Sequence, residues 1–178
     1  MFGIRFTILI IRLRMPKLTF DTNIFITHRL IKLPESFYMS VVVLQELVAG
    51  ADDDATVKKL LNIKKFYEKV DRLLVPNAED WWLAGKVINS LQRGLKSERG
   101  GLAPKMTADQ KHRISHDVLI ARTAKRAGVT VITDNIKDFE AIQKFCNVRV
   151  MSILRISIRR SRGRSLVTNG HQSKLSCD

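Results

Sequence analysis

The stretch Leu18-Thr19-Phe20-Asp21-Thr22-Asn23-Ile24-Phe25 decides the fold. A short apolar run stops at an acid, a hydroxyl and an amide, and an amphipathic segment from Ile24 to Leu33 carries on. This is the pattern of a buried strand that delivers Asp21 at its carboxyl end and turns into a helix. In open α/β sheets that edge is where ligands bind. A carboxylate held there is costly unless something positive neutralises it, and a divalent cation does so best. One acid alone proves little. The weight lies on whether later acids arrive at similar edges.

Working outward, Lys17 to Phe20 reads as strand one and Asn23 to Leu33 as helix one, stopped by Pro34. Ser36 to Ser40 reads as a second strand. Ser40 then caps a helix over Val41 to Ala49 closed by Gly50, although three consecutive valines favour a strand. A helix over about Ala55 to Val70, a strand over Leu73 to Val75 and a helix over Ala78 to Leu95 follow. Trp81 falls on the apolar spacing of that last helix, which assigns it to the core and leaves Trp82 as an exposed contact residue. Lys96 to Arg113, with Gly100, Gly101 and Pro104, reads as a basic loop, either a solvated face or a phosphate contact. A helix is expected from Ser115 to Gly128. Val129 to Thr133 reads as a buried parallel strand, followed by a helix to about Phe145 and a strand over Val148 to Met151. The alternation predicts a three-layer α/β fold with a mostly parallel central sheet flanked by helices.

The 178 residues suffice for one domain with a real core and not for two of ordinary size. The domain is expected over 15–154, with 1–14 as an N-terminal extension outside the core and 155–178 as a basic disordered tail. An apolar fraction of 45% with 27% charged residues is that of a soluble globular protein. The run Phe6 to Ile11, followed by Arg12 and Arg14, is too short to span a bilayer. Cys146 and Cys177 show no metal spacing and no disulfide framework, which fits a reduced cytoplasmic setting. The net charge of +14 points to a polyanionic partner; +3 lies in 1–14, +5 in 155–178 and +6 in between.

The acids repeat the pattern of Asp21. Asp134 and Asn135 follow a buried strand at the same sheet edge, with Asp138 close behind. Asp117 is expected in the first turn of its helix, where the dipole favours an anion. Glu46 is the one acid in an otherwise apolar segment. Converging carboxylates raise one another's pKa unless a cation sits between them. An all-oxygen set without Cys or His suits Mg²⁺ or Mn²⁺, and such a site activates water and neutralises charge developing on a phosphodiester. Singly, each acid has a plainer reading: Asp117 as a helix-start acid, Asp134 and Asn135 as turn residues, Asp138 as a cap. Glu46 resists one, since an acid on a buried face needs a partner. His28, His112 and His171 are scattered, and His116 is expected to point away from Asp117, so no histidine is assigned to the site.

Phe20-Asp21-Thr22-Asn23, Ser40 to Leu47, His116-Asp117-Val118-Leu119-Ile120-Ala121 and Thr133-Asp134-Asn135-Ile136-Lys137-Asp138-Phe139 resemble, in order, the motifs of PIN-domain ribonucleases, most closely the VapC-type toxins of bacterial toxin–antitoxin pairs. The resemblance covers about residues 15–152. It implies metal-dependent endonucleolytic cleavage of RNA, with Mg²⁺ or Mn²⁺ as cofactor, and inhibition by a cognate antitoxin; a homodimer is also expected. Asp21, Glu46 and Asp117 match the family's acids, with Asp21 and Asp117 expected to hold the metal. Asp134, Asn135 and Asp138 share the final motif, and the fourth position stays open among them. Two other classes compete. A non-catalytic binding module on a PIN-like fold would be marked by a missing acid. A phosphoacceptor receiver domain would want paired acids near strand one, which Asp21-Thr22-Asn23 does not supply.

Overall fold

The computed structural model describes residues 16–28, 33, 37–98 and 105–153. The expected extension 1–14 and tail 155–178 lie outside the described residues, as do 29–32 of the first expected helix and 99–104 of the basic loop.

Among the described residues five short strands are interspersed with helices: β1 (Leu18–Phe20), α1 (Thr22–Thr27), β2 (Met39–Ser40), α2 (Val41–Ala49), α3 (Asp54–Lys69), β3 (Leu73–Leu74), α4 (Ala78–Glu98), α5 (Ala108–Ala127), β4 (Thr130–Ile132), α6 (Ile136–Gln143) and β5 (Val150–Met151). β4 lies between β1 and β5, and every strand pairing is parallel. β2 pairs with β3, and a parallel bridge from Thr19 to Tyr38 joins the two sets. The strands thus run β3-β2-β1-β4-β5. The chain builds outward from β1 in one direction and then restarts at β4 in the other. That reversal opens a crevice beyond the carboxyl ends of β1 and β4, the place where open parallel sheets bind ligands. Asp21 closes β1 there, its backbone N–H donating to Ile132 at 2.9 Å.

The core lies between sheet and helices. Phe20, Val43, Val118 to Ala121, Val131, Ile132 and Phe139 are buried almost completely. Strand β4 is buried along its whole length, as expected of a parallel strand covered on both faces. The valines of α2 begin a helix at once because β2 ends at Ser40, whose hydroxyl accepts from the Val42 N–H at 3.2 Å.

Three expectations are corrected. Helix α1 ends at Thr27 rather than running to Leu33, because the backbone of its C-cap His28 leaves the helical region. Helix α5 starts at Ala108 rather than Ser115, because Thr107 and Gln110 form a capping box ahead of the cations Lys111 and Arg113. Asp117 therefore sits more than two turns into the helix, beyond the reach of the N-terminal dipole. Trp81 is not core: it is 56% exposed and Trp82 68%. The face of α4 turned inward runs instead through Asp80, Ala84 and Val87.

Asp80, 1% exposed, takes the buried position expected for Trp81. Its carboxylate accepts from the Asn77 N–H at 3.0 Å, faces Arg122 at 3.5 Å and pairs with Arg126, whose guanidinium also donates to the Val75 carbonyl at 2.6 Å. One buried acid thus ties the start of α4 to the last turns of α5. Asp80→Ala would remove the carboxylate that faces Arg122. It is expected to destabilise by about 2–3 kcal/mol, below the fully buried range because Arg126 is half in solvent. Chemical denaturation of the variant beside the parent protein measures this.

Candidate active site

Each acid owes its place to a different element. Asp21 caps α1, accepting from the Thr22 N–H at 2.7 Å, while its other oxygen accepts from the Thr133 hydroxyl at 2.7 Å. Thr133, fully buried just past β4, also accepts from the Asn135 N–H at 2.9 Å and from the Asn23 amide at 3.3 Å. A single hydroxyl therefore locks the ends of β1 and β4 together. Glu46 stands on α2 with its side chain 28% exposed. Asp117 projects from α5, on the turn whose following residues, Val118 to Ala121, are core.

Electrostatics marks these three as one cluster. Burial raises the pKa of Asp21, and the charges of Glu46 and Asp134 raise it further against the hydrogen bonds that oppose them. Asp117 is pushed up to about 8, by burial first and then by Asp21, Asp138 and Glu46, with Arg113 as the opposing charge. Burial also pushes Glu46 up, yet hydrogen bonds from His116 and Thr22 outweigh it and hold the carboxyl below its ordinary value.

The final motif divides. Asp134 turns to His28 at 2.5 Å on the rim. Asn135 donates through its amide to Asp138 at 2.6 Å, and Asp138 is the member whose charge reaches Asp117. Sequence reading gave no role to His116, yet its ring is 6% exposed and its Nδ1 lies 2.6 Å from Glu46. Asp117 and His116 diverge around the helix as expected, but Glu46 reaches across from α2 to meet the histidine. Thr22, Thr133 and His28 were likewise unassigned. Thr22, Thr133 and His116 stand inside the quoted motifs, and that adjacency was the one available signal.

Among the described residues, no three Asp, Glu, His or Cys side chains are gathered tightly enough to hold one ion in this geometry. The donor chemistry nonetheless fits a divalent cation. Asp21, Glu46, Asp117 and Asp138 offer only hard oxygen, and the repulsion that adds to burial in raising Asp117 is what a cation between them would reverse.

These shifts set a pH dependence. Asp117 titrates near 8 in the fold and at its ordinary acid value when unfolded, so the folded state holds the extra proton between those limits. Its stabilisation is present at acid pH and lost as pH rises through about 8, and Asp21 acts in the same direction. Glu46 works oppositely: its stabilisation is present above its ordinary value and lost as pH falls below it. Between pH 5.5 and 8.5 the first two dominate. In EDTA the melting point is expected to fall by about 3–8 °C over that range, and Asp117→Asn or saturating Mn²⁺ should remove most of the slope. Thermal melts across pH check this; a melting point that rises toward pH 8.5 in EDTA contradicts it.

No protein-family model matches the chain. A curated relative, ribonuclease VapC1 of Rickettsia felis, is 32% identical over 112 residues, covering 60% of this chain and 70% of the relative. Solved structures with a similar course include the DNA-bound VapBC of Salmonella typhimurium, at 22% identity and a TM-score of 0.43 over 78% of this chain and 98% of that one. Another is VapBC-1 of nontypeable Haemophilus influenzae, at 22% and 0.42 over 75% and 95%. The weight rests on the sequence match. An identity of 32% across 70% of a ribonuclease VapC1 makes this chain a member of the VapC family of PIN-domain ribonucleases.

Proposed function

We propose that this protein is the toxin of a VapBC-type pair, an endoribonuclease that hydrolyses RNA phosphodiester bonds with Mg²⁺, or Mn²⁺ in its place. The observation that carries the reading is the convergence of Asp21, Glu46 and Asp117 from three elements on the switch point of the sheet, with Asp117 raised to about 8 by burial and then by its acidic neighbours. No matched acid is missing, which weighs against a non-catalytic module. Asp21 and Asp117 would hold the cation. Asp138, oriented by Asn135, suits the fourth position better than Asp134, which is engaged by His28. When bound, the cation supplies charge neutralisation at the phosphate and lowers the pKa of water. Glu46, held ionised, would orient the attacking water or help hold a second ion.

RNA as substrate accords with the net charge of +14. An antitoxin accords with a trough of about 390 Å³ beside Glu46, with Phe25, Ile26, Leu47 and Leu60 among its lining residues. A segment seated there would lie against Glu46. Homodimerisation and a cytoplasmic location belong to the same reading. Among the described residues, no helix is long and apolar enough to cross a membrane.

Water attacking in line leaves a 5′-phosphate and a 3′-hydroxyl, whereas attack by the 2′-hydroxyl leaves a cyclic phosphate and wants a free histidine. His116 is present, contrary to the sequence expectation, but it is buried with Nδ1 engaged by Glu46. End-group analysis of a cleaved structured RNA, with EDTA as control, is expected to return 5′-phosphate ends. Asp21→Asn should lower the rate by about 10³-fold or more and weaken Mn²⁺ binding in calorimetry. A 2′,3′-cyclic end, or cutting that survives EDTA and Glu46→Gln, defeats the mechanism. Residues 15–154 expressed alone should retain metal-dependent cleavage, since every motif lies within them; an inactive segment beside an active full chain overturns that boundary.

A further inference from the structure

We infer that His116 and Thr22 form a two-sided clamp that aims the Glu46 carboxylate into the site, making them positioning residues for the metal-dependent chemistry; this rests on the nuclease reading above. Glu46 is a long side chain on a half-open face of α2, and left free it would sample rotamers toward the neighbouring trough. Instead both its oxygens are engaged. Oε1 meets His116 Nδ1 at 2.6 Å, and Oε2 accepts the Thr22 hydroxyl. An ionised carboxylate only accepts, so the proton of that first bond belongs to Nδ1.

The two donors come from separate elements, α5 and α1. Each is the chain neighbour of an acid: Thr22 follows Asp21, and His116 precedes Asp117. The two backbone stretches that present Asp21 and Asp117 therefore also fix Glu46, and the three acids hold one relative geometry. The His116 ring has little freedom to relax away. It is buried, and its centroid lies 4.1 Å from that of His112 one turn earlier. A carboxylate has about four acceptor positions. The clamp uses two and leaves two for an ion or for water. Held this way, Glu46 stays ionised beside two acids that burial and repulsion push toward the neutral form.

The test uses the full chain with Mn²⁺ as probe, read by calorimetry, with kcat on a structured RNA as second readout. His116→Ala is expected to weaken Mn²⁺ binding and lower kcat by about 10- to 100-fold, the usual loss when a ligand's supporting hydrogen bond is removed. His116→Asn places an amide N–H close to where Nδ1–H stood and should return both values to within about threefold of the parent. Thr22→Val and Thr22→Ser should repeat the contrast through the other oxygen. On a Glu46→Gln background, His116→Ala should add less than about twofold to the loss of Mn²⁺ affinity, because its effect runs through Glu46. Thermal melts establish that each variant folds; if His116→Ala does not, the Thr22 pair and His116→Asn carry the comparison. The clamp is overturned if His116→Asn is as damaging as His116→Ala, or if the His116→Ala loss persists in full on the Glu46→Gln background. Failure of the nuclease reading looks different: Mn²⁺ affinity would then be unchanged in Asp21→Asn, whereas a failed clamp leaves that loss intact.

Discussion

The mutual repulsion of carboxylates at one sheet edge is the constraint around which this molecule is arranged. Asp21 is buried and Asp117 half-buried; burial raises the cost of ionising both, the charges of Glu46 and Asp134 add to it at Asp21, and those of Asp21, Asp138 and Glu46 add to it at Asp117. Like charges at this range in a partly dry site are costly unless donors or a cation intervene. The structure supplies donors unevenly. Thr133 and the Thr22 N–H serve Asp21; His116 and the Thr22 hydroxyl serve Glu46. Among the described residues none donates a hydrogen bond to the Asp117 carboxylate, whose pKa is pushed up to about 8. The cluster thus holds two acids with hydrogen-bond donors and one whose ionisation is opposed by burial and repulsion.

Such a cluster requires a scaffold that does not yield. Parallel pairing of β1 with β4 fixes the spacing of their carboxyl ends, and the Thr133 hydroxyl couples the residues that emerge from them. Helix α5 presents Asp117 on one side while Val118, Leu119, Ile120 and Ala121 are sunk in the core, so the acid cannot retreat without disturbing close-packed side chains. At the far end of the same helix, Asp80 binds Arg122 and Arg126 and anchors α5 to α4. A buried ion pair is weak evidence for net stability, but it specifies how the two helices register.

The misjudged elements share a cause. The start of α5 was hidden because Lys111, His112 and Arg113 carry no apolar period; the capping box at Thr107 and Gln110 was the decisive local signal. Trp81 fell on an apolar spacing, yet the buried position went to Asp80, one residue earlier, because two arginines from α5 wait there. A one-residue rotation on a helix moves a side chain by about 100°, enough to exchange core for solvent. Only the partner helix decides between such faces.

Local sequence determined the alternation of strands and helices, the burial of β4 and the arrival of Asp21 and Asp134 at strand ends, since these follow from apolar period, caps and breakers within a few residues. It also marked Glu46 as an acid with something to explain, because hydrophobic neighbours on one helix are visible in one dimension. The order of the strands was not legible, nor was the meeting of His116 with Glu46, seventy positions apart in the chain. The division of labour between Asp134 on the rim and Asp138 near Asp117 was equally hidden. These depend on distances across the fold, and hydrogen bonding and charge repulsion act through space within a few ångströms regardless of separation along the chain.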